Sequence, residues 1–167
     1  MSSNNQNCSL CNLKPEEILF DTHNFYLIPS KSTSDILIVP KKHCPTMADI
    51  PDDINMEFDE LRRLVRKLLS VDFGECAFYE HTGGDHLQAF VGHGDGHGHA
   101  HFHCSPKGHE LLTKIPDIHI REVSSWKEHI TSRKNGEPYF YIEDNGDNKF
   151  VIMIDDVRHL FNEGVSI

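Results

Sequence analysis

The sequence GHGDGHGHAHFHCSP, residues 92 to 106, holds five of the thirteen histidines in the chain. From His97 onward a histidine stands at every second position. Because alternate side chains of an extended strand share a face, the row predicts a strand with its histidines on one side. The other side would carry Ala100, Phe102 and Cys104, which predicts packing against a core. The glycines before the row predict a loop.

The spacing of the histidines in the row limits which ligands they can bind together. Neighbours on one face lie about 6.6 Å apart, whereas an imidazole approaches zinc to about 2.1 Å. Two neighbours can share a metal ion, but three in a line fit one poorly. A row of three better suits an elongated anionic ligand, with one histidine attacking and its neighbours orienting it or passing a proton. The alternative is a histidine-rich surface strand that binds metal loosely.

Length, charge and cysteine content narrow the class of protein. At 167 residues the chain suits one domain with a core that needs no disulfides, and its five cysteines are odd in number. The net charge of −10, without a basic run, argues against a nucleic-acid partner. No stretch approaches the roughly 20 apolar residues of a membrane helix, and residues 1–11 lack the basic start and the apolar run that are typical of a signal peptide. We therefore expect a cytoplasmic protein without a membrane partner.

Apolar patterns predict an α+β domain with an antiparallel sheet. Apolar residues at three- and four-residue steps predict a long helix from Asp52 to Ser70, whose apolar face consists of Ile54, Phe58, Leu61, Val65 and Leu68. A short helix is predicted to begin at residues 125–128, where a serine and a glutamate have capping-box spacing. A last helical turn is expected near 157–161. Besides the histidine row, the predicted strands are 18–20, 25–28, 36–39, 76–80, 118–123, and the hairpin of 139–142 with 150–154.

The histidine row resembles the signature of the histidine triad (HIT) family of nucleotide hydrolases and transferases. Residues 99 to 105 follow the pattern His-φ-His-φ-His-φ-φ, where φ is an apolar residue, and Pro106 follows as in many members. A triad that began at His97 would place Gly98 at an apolar position and leave a fourth histidine over. The triad is therefore assigned to His99, His101 and His103.

Three further motifs resemble the family in the same order. Cys8-x-x-Cys11 is similar to its amino-terminal knuckle, residues 36–43 (ILIVPKKH) to a strand that ends in Pro-Lys-x-His, and residues 78–81 (FYEH) to a segment of a bacterial-type branch. The resemblance implies a HIT-like fold with about five antiparallel strands, one long and one short helix, and a C-terminal hairpin extension. The implied segments are a disordered tail at 1–7, a core at 8–106, and an extension at 107–167 packed on the same domain.

The resemblance implies an enzyme that breaks a phosphoanhydride or phosphoramidate bond at the α-phosphate of a nucleotide, such as a dinucleoside polyphosphate. In this scheme His101 attacks phosphorus and forms a nucleotidyl-histidine. His103 holds the developing charge or passes a proton, while His99 or a backbone carbonyl fixes the tautomer of His101. No organic cofactor is implied.

Phosphate binding is expected from the glycine-rich loop and one lysine. Gly94, Gly96 and Gly98 would let backbone N–H groups approach phosphate oxygens, because glycine permits close contact. Lys41 would attract a polyphosphate, or it would simply be a solvated strand end.

A structural zinc site is expected at the amino terminus. Cys8 and Cys11 supply two thiolates, and the resemblance implies His43 as the third ligand and His99 as the fourth of a closed site. His23 or another residue could replace His99 as the fourth ligand. The alternative is a pair of free, reduced cysteines; a redox pair is disfavoured because no βαβ pattern surrounds them.

Two departures from the family motivate a second hypothesis. Asp35 stands where many members carry a histidine, and residues 92–96 replace the Gln, Ser or Thr that members often present to phosphates. They favour a metal-binding or nucleotide-sensing protein that retains the fold without turnover. In either case members commonly form homodimers that cover sheet edges, although the C-terminal hairpin could cover an edge within one chain.

Overall fold

The structure is a computed structural model. It describes residues 8–31, 33–81, 98–106, 121–124, 126, 128, 139–144 and 149–153. Within these ranges one antiparallel sheet has the strand order β1-β2-β3-β5-β4-β7-β8-β6, and one long helix, α1, spans Asn55–Phe73. The helices of the described residues lack the length and apolar character that a membrane-spanning segment needs. The strands are β1 Phe20–Asp21, β2 Phe25–Pro29, β3 Ile36–Pro40, β4 Ala77–His81, β5 Phe102–Ser105, β6 Arg121–Glu122, β7 Tyr139–Glu143 and β8 Lys149–Met153.

The predicted α+β class is confirmed, and the sheet is larger than expected. The hairpin β7–β8 does not stand apart from the other strands, because β7 pairs with the outer edge of β4 and places Tyr141 opposite Glu80. β6, inside the predicted strand 118–123, pairs with β8. The C-terminal hairpin thus continues the central sheet and covers an edge that β4 would otherwise expose.

Strand β5, which carries the end of the histidine row, lies inside the sheet between β3 and β4. It is shorter than predicted, because it begins at Phe102 and leaves His99 and His101 ahead of it. The amide of Ala100 donates to the carbonyl of Cys44 at 2.8 Å and so leaves the ladder with β3. Gly98, at φ 55°, marks the turn into this segment. His97 lies outside the described residues.

Helix α1 is close to the predicted helix, with two differences. A 3-10 turn at Asp52–Ile54 precedes it, and Gly74, with φ 78°, ends it three residues later than expected. Its buried face consists of Phe58, Leu61, Val65 and Leu69. Leu68, which was predicted to face the core, is 54% exposed, because a spacing of four from Val65 places Leu69 on the inner face. Ile54 lies in the preceding 3-10 turn and is partly buried against the core.

The main core lies between α1 and the sheet. Phe58 stacks on Phe25 and meets Phe102 and Trp126 edge to face, with ring centroids 5.2 to 5.8 Å apart. These contacts account for the apolar face of the histidine row, since Ala100, Phe102 and Cys104 belong to this core. The predicted packing of that face is therefore confirmed.

A buried carboxylate joins α1 to the C-terminal hairpin. Glu143, at the end of β7, accepts hydrogen bonds from Arg62 at 2.5 Å and from Arg66. All three side chains are largely shielded from solvent. These ion pairs connect α1 to β7, the strand that extends the sheet beyond β4.

Several predicted elements are only partly described. Trp126 and Glu128 are helical, and the Glu128 carboxylate accepts the amide hydrogen of Ser124 at 2.7 Å. That partner lies one residue before the serine of the predicted capping box. The expected tail at 1–7, the loop residues 82–97 and the helical turn at 157–161 lie outside the described residues.

Candidate functional site

The candidate metal centre is a group of two thiols and two imidazoles whose ligand atoms lie within 4.8 Å of one another. A 3-10 turn at Ser9–Cys11 brings the two thiols close together. The side-chain amide of Asn12 donates a hydrogen bond to the Cys8 carbonyl at 2.8 Å and stabilises this turn. His43 follows the end of β3, and His99 precedes β5. All four residues expected from the sequence, Cys8, Cys11, His43 and His99, are brought together, and His23 is not among them.

The distances suit a tetrahedral ion. Zn–S bonds of about 2.3 Å and Zn–N bonds of about 2.05 Å at the tetrahedral angle place sulfur and nitrogen about 3.5 Å apart. The Nδ1 atom of His99 lies 3.3 Å from Cys8 Sγ and 3.4 Å from Cys11 Sγ, and His43 Nδ1 lies 3.3 Å from Cys11 Sγ. The donor set therefore fits a closed Cys₂His₂ site.

His99 is oriented for ligation by a second contact. Its Nε2–H donates to the Pro40 carbonyl at 2.8 Å, which leaves Nδ1 without a proton and directed at the thiols. Burial lowers the pKa of His99 to about 4, although the hydrogen bond to Pro40 acts in the opposite direction and raises it. The imidazole is thus neutral near pH 7, as a metal ligand must be.

His101 is held by the backbone of the same segment. Its Nδ1 lies 2.9 Å from the His99 carbonyl oxygen. A carbonyl only accepts, so Nδ1 carries the proton and the neutral ring keeps a lone pair on Nε2. The side chain is half-buried, and its ring centroid lies 5.0 Å from that of His103. His101 therefore has the tautomer that a nitrogen nucleophile requires.

His103 is buried and faces a carboxylate. Its Nδ1 lies 3.0 Å from Asp35 Oδ2, and its ring stacks on Tyr79 with centroids 4.3 Å apart. The Tyr79 hydroxyl donates to the same carboxylate at 2.7 Å, and Ser105 adds a further side-chain hydrogen bond. Burial raises the pKa of the Asp35 carboxyl, but the hydrogen bonds from these three side chains outweigh it and leave the pKa lowered.

No local pattern in the sequence indicates the carboxylate beside His103. In the sequence Asp35 is only a departure from the family, and Tyr79 is only part of a motif. Strand pairing brings them together, because Tyr79 lies opposite His103 in the register of β4 and β5, while Asp35 immediately precedes the strand on the other side of β5. Two neighbouring strands thus deliver the two side chains that enclose His103.

The predicted phosphate ligands are placed only in part. The Lys41 ammonium pairs with Asp21 at 2.5 Å and lies 4.7 Å from the centroid of the Tyr26 ring, so its charge is partly balanced at the end of β3. Gly98 opens the triad segment with a positive φ. Gly94 and Gly96 lie outside the described residues.

Two of the solved structures that match this chain are HIT family hydrolases. The one from Legionella pneumophila Philadelphia 1 has a TM-score of 0.42 and 21% sequence identity, and the match covers 59% of this chain and 90% of that one. The one from Clostridium thermocellum has a TM-score of 0.40 and 20% identity, over 60% of this chain and 90% of that one. No family model matches the chain, and no curated protein matches it significantly. Both structures belong to the family that the sequence motifs resemble.

Proposed function

We propose that this chain is a nucleotide hydrolase or nucleotidyltransferase that cleaves a phosphoanhydride or phosphoramidate bond at an α-phosphate, with dinucleoside polyphosphates among its substrates. The observation that carries the proposal is the 2.9 Å contact from His101 Nδ1 to the His99 carbonyl, because it presents Nε2 as a nucleophile. A second imidazole, that of His103, lies beside it. The pair has the parts for covalent catalysis with proton transfer.

The proposed reaction has two steps. Nε2 of His101 attacks the α-phosphorus, a P–N bond forms, and the bond to the leaving group breaks; the leaving group takes the electron pair and a proton from His103. A water molecule then gives a proton to His103 and attacks phosphorus, which breaks the P–N bond and releases a nucleoside monophosphate. Another acceptor in place of water would make the reaction a transfer. Both histidines return to their starting states.

Phosphate recognition in this proposal uses the backbone around Gly98, together with Gly94 and Gly96, and the ammonium of Lys41. A Cβ at Gly98 would meet no atom within 4 Å, but the φ of 55° would strain any other residue there. The Lys41 ammonium is paired with Asp21, so it can bind a polyphosphate only if the polyphosphate displaces the Asp21 carboxylate.

We further propose that the Cys₂His₂ group holds one structural zinc ion. When bound, zinc supplies a cross-link between the amino-terminal knuckle, the end of β3 and the triad segment. His99 belongs to both the cluster and the triad, and its carbonyl holds His101. The metal ligands thus position the nucleophile through the backbone.

The decisive experiment is incubation with a panel of dinucleoside polyphosphates and nucleoside phosphoramidates that differ in base, followed by chromatography. The expected product is a nucleoside monophosphate, and a quenched sample should carry a nucleotide mass adduct on the peptide that contains His101. His101→Ala should bind nucleotide without turnover. An adduct on another residue, or turnover by His101→Ala at the wild-type rate, would contradict the mechanism.

The second candidate, a metal-binding or nucleotide-sensing protein, is motivated by Asp35 in place of the usual histidine. The same panel separates the two functions. Nucleotide binding measured by calorimetry, without product from any member of the panel, would favour the sensor.

We also propose a homodimer, as the family resemblance implies. β7 covers the outer edge of β4, so sheet pairing between copies would have to use β1 or β6, the terminal strands of the described sheet. Light scattering at micromolar concentration tests the proposal. The monomer mass of 19.1 kDa would contradict it.

A further inference from the structure

We propose that Asp35 is a positioning residue that makes His103 the proton carrier of the reaction. In this arrangement Asp35 fixes the tautomer of the neutral imidazole and stabilises the imidazolium that protonates the leaving group. The inference rests on the proposed function and deepens it, because it assigns a leaving group that must receive a proton. An amine or an alkoxide of high basicity is such a group.

The geometry of the contact determines which nitrogen of His103 can act. A deprotonated carboxylate only accepts hydrogen bonds, so the Nδ1 atom, 3.0 Å from Asp35 Oδ2, carries a proton in both charge states of the ring. Any proton that His103 gains or loses is therefore at Nε2. Neutral His103 accepts there, and the imidazolium donates there.

Burial makes the charge of Asp35 effective. The side chains of Asp35 and His103 are 3% and 1% exposed, so water screens their interaction little. Among the described residues, His103 is contacted by Asp35 ahead of β3, Tyr79 from β4 and His101 from its own segment. Of these three, Asp35 carries a negative charge, and an opposite charge at this distance favours the protonated imidazole.

The surroundings of Asp35 keep it ionised and in place. Tyr79 and Ser105 donate hydrogen bonds to it from β4 and β5, so the carboxylate is fixed from two strands. Burial, and then the neighbouring Asp35 charge, raise the pKa of Tyr79 far above its usual value, so its hydroxyl stays protonated. Tyr79 thus acts as a neutral donor and does not compete with His103 for the role of acid.

The proton balance follows the two steps proposed above. In the first step the imidazolium of His103 gives its Nε2 proton to the leaving group as the bond to phosphorus breaks. In the second, neutral His103 takes a proton from water at Nε2 as the P–N bond to His101 breaks. Asp35 keeps the same charge throughout and gives up no proton.

The test compares Asp35→Asn with the wild type on two substrates of one accepted nucleobase. One substrate is a nucleoside phosphoramidate with an alkylamine leaving group, which must be protonated. The other is the 4-nitrophenyl ester of the same nucleoside monophosphate, whose 4-nitrophenolate leaves without a proton. Asp35→Asn keeps the shape and an acceptor but removes the charge. We expect kcat/KM for the phosphoramidate to fall about 10²–10⁴-fold, a much smaller fall for the ester, and little change in KM for either.

Tyr79→Phe is the matched control, because it removes one hydrogen bond to Asp35 and keeps the charge. The Tyr79→Phe substitution should lower kcat/KM for both substrates to a similar, small extent. Equal losses on the two substrates in Asp35→Asn would overturn the proposal, since they would indicate a purely structural role.

Nitrogen-15 NMR of His103 supplies a readout that does not need turnover. The neutral ring should be protonated at Nδ1, and Asp35→Asn should lower the pKa of His103 by about one unit or more. An unchanged pKa would overturn the inference. If Asp35→Asn does not fold, the tautomer of neutral His103 in the wild-type protein decides the proposal. Protonation of that ring at Nε2 would contradict the proposed role of Asp35. If wild-type protein cleaves dinucleoside polyphosphates but neither of these substrates, the assigned leaving group is wrong. If it cleaves no member of the panel either, the proposed function fails, and the NMR result alone decides whether Asp35 controls His103.

Discussion

Replacement of Cys8 by serine should remove a bound metal ion and a large share of the stability of the protein. The thiol of Cys8 is buried, and its sulfur lies 3.3 Å from Nδ1 of His99. Serine offers a poor ligand there, so the cluster keeps only three of its four strong ligands. We expect about one zinc ion per chain in wild-type protein and substantially less in Cys8→Ser.

The magnitude follows from linkage. A site that is saturated at a free metal concentration of 1,000 times its Kd stabilises the fold by about 4 kcal/mol. A protein of this length changes its Tm by about 2–4 °C per kcal/mol, so the loss should be about 8–16 °C. The effect should be large because the ligands come from three segments separated in sequence, which the ion joins only in the folded state.

The assay combines elemental analysis of purified protein with thermal unfolding, with and without a strong chelator. Cys44→Ser is the matched control, since Cys44 is also buried but lies outside the cluster, and burial raises the pKa of its thiol to about 12. It should retain zinc. The reasoning is refuted if wild-type protein holds no stoichiometric metal, or if Cys8→Ser keeps the zinc content and Tm of the wild type.

Three further predictions concern the nucleophile, the buried ion pairs and acid stability. His101→Gly should be inactive and regain turnover with added imidazole, whereas no rescue would argue against a nitrogen nucleophile at this position. Glu143→Gln should lower the free energy of unfolding by about 3–5 kcal/mol because it leaves buried arginines unpaired, while Glu122→Gln, at an exposed position, should change it little in urea titrations. Because the pKa of Asp35 is lowered in the fold, its contribution to stability is present above the unfolded value of about 3.9 and declines as the pH falls below it. Acid titrations should show a shallower decline in Asp35→Asn, and an identical slope would contradict this assignment.

The elements that can be predicted from the amino-acid sequence are those whose signal is local. The period of α1, the apolar runs of β2 and β3, and the two halves of the β7–β8 hairpin each follow from residues close together in the chain. The metal ligands were also predictable, because Cys8 and Cys11 carry knuckle spacing and the family resemblance supplied His43 and His99. A local pattern could not fix the length of β5, since the amide of Ala100 bonds to Cys44, far away in sequence.

The differences among the three triad histidines arise from tertiary contacts. In the sequence they form one regular row, yet His99 turns to the thiols, His101 to a backbone carbonyl and His103 to Asp35. The partners of the first and third lie 91 and 68 residues away, so no periodicity in the row could reveal them. The pairing of β7 with β4 is equally remote from any local pattern. The physical reason is common to these cases: strand pairing brings distant residues into contact, and burial then gives a single carboxylate or thiol an influence that it lacks in an exposed chain.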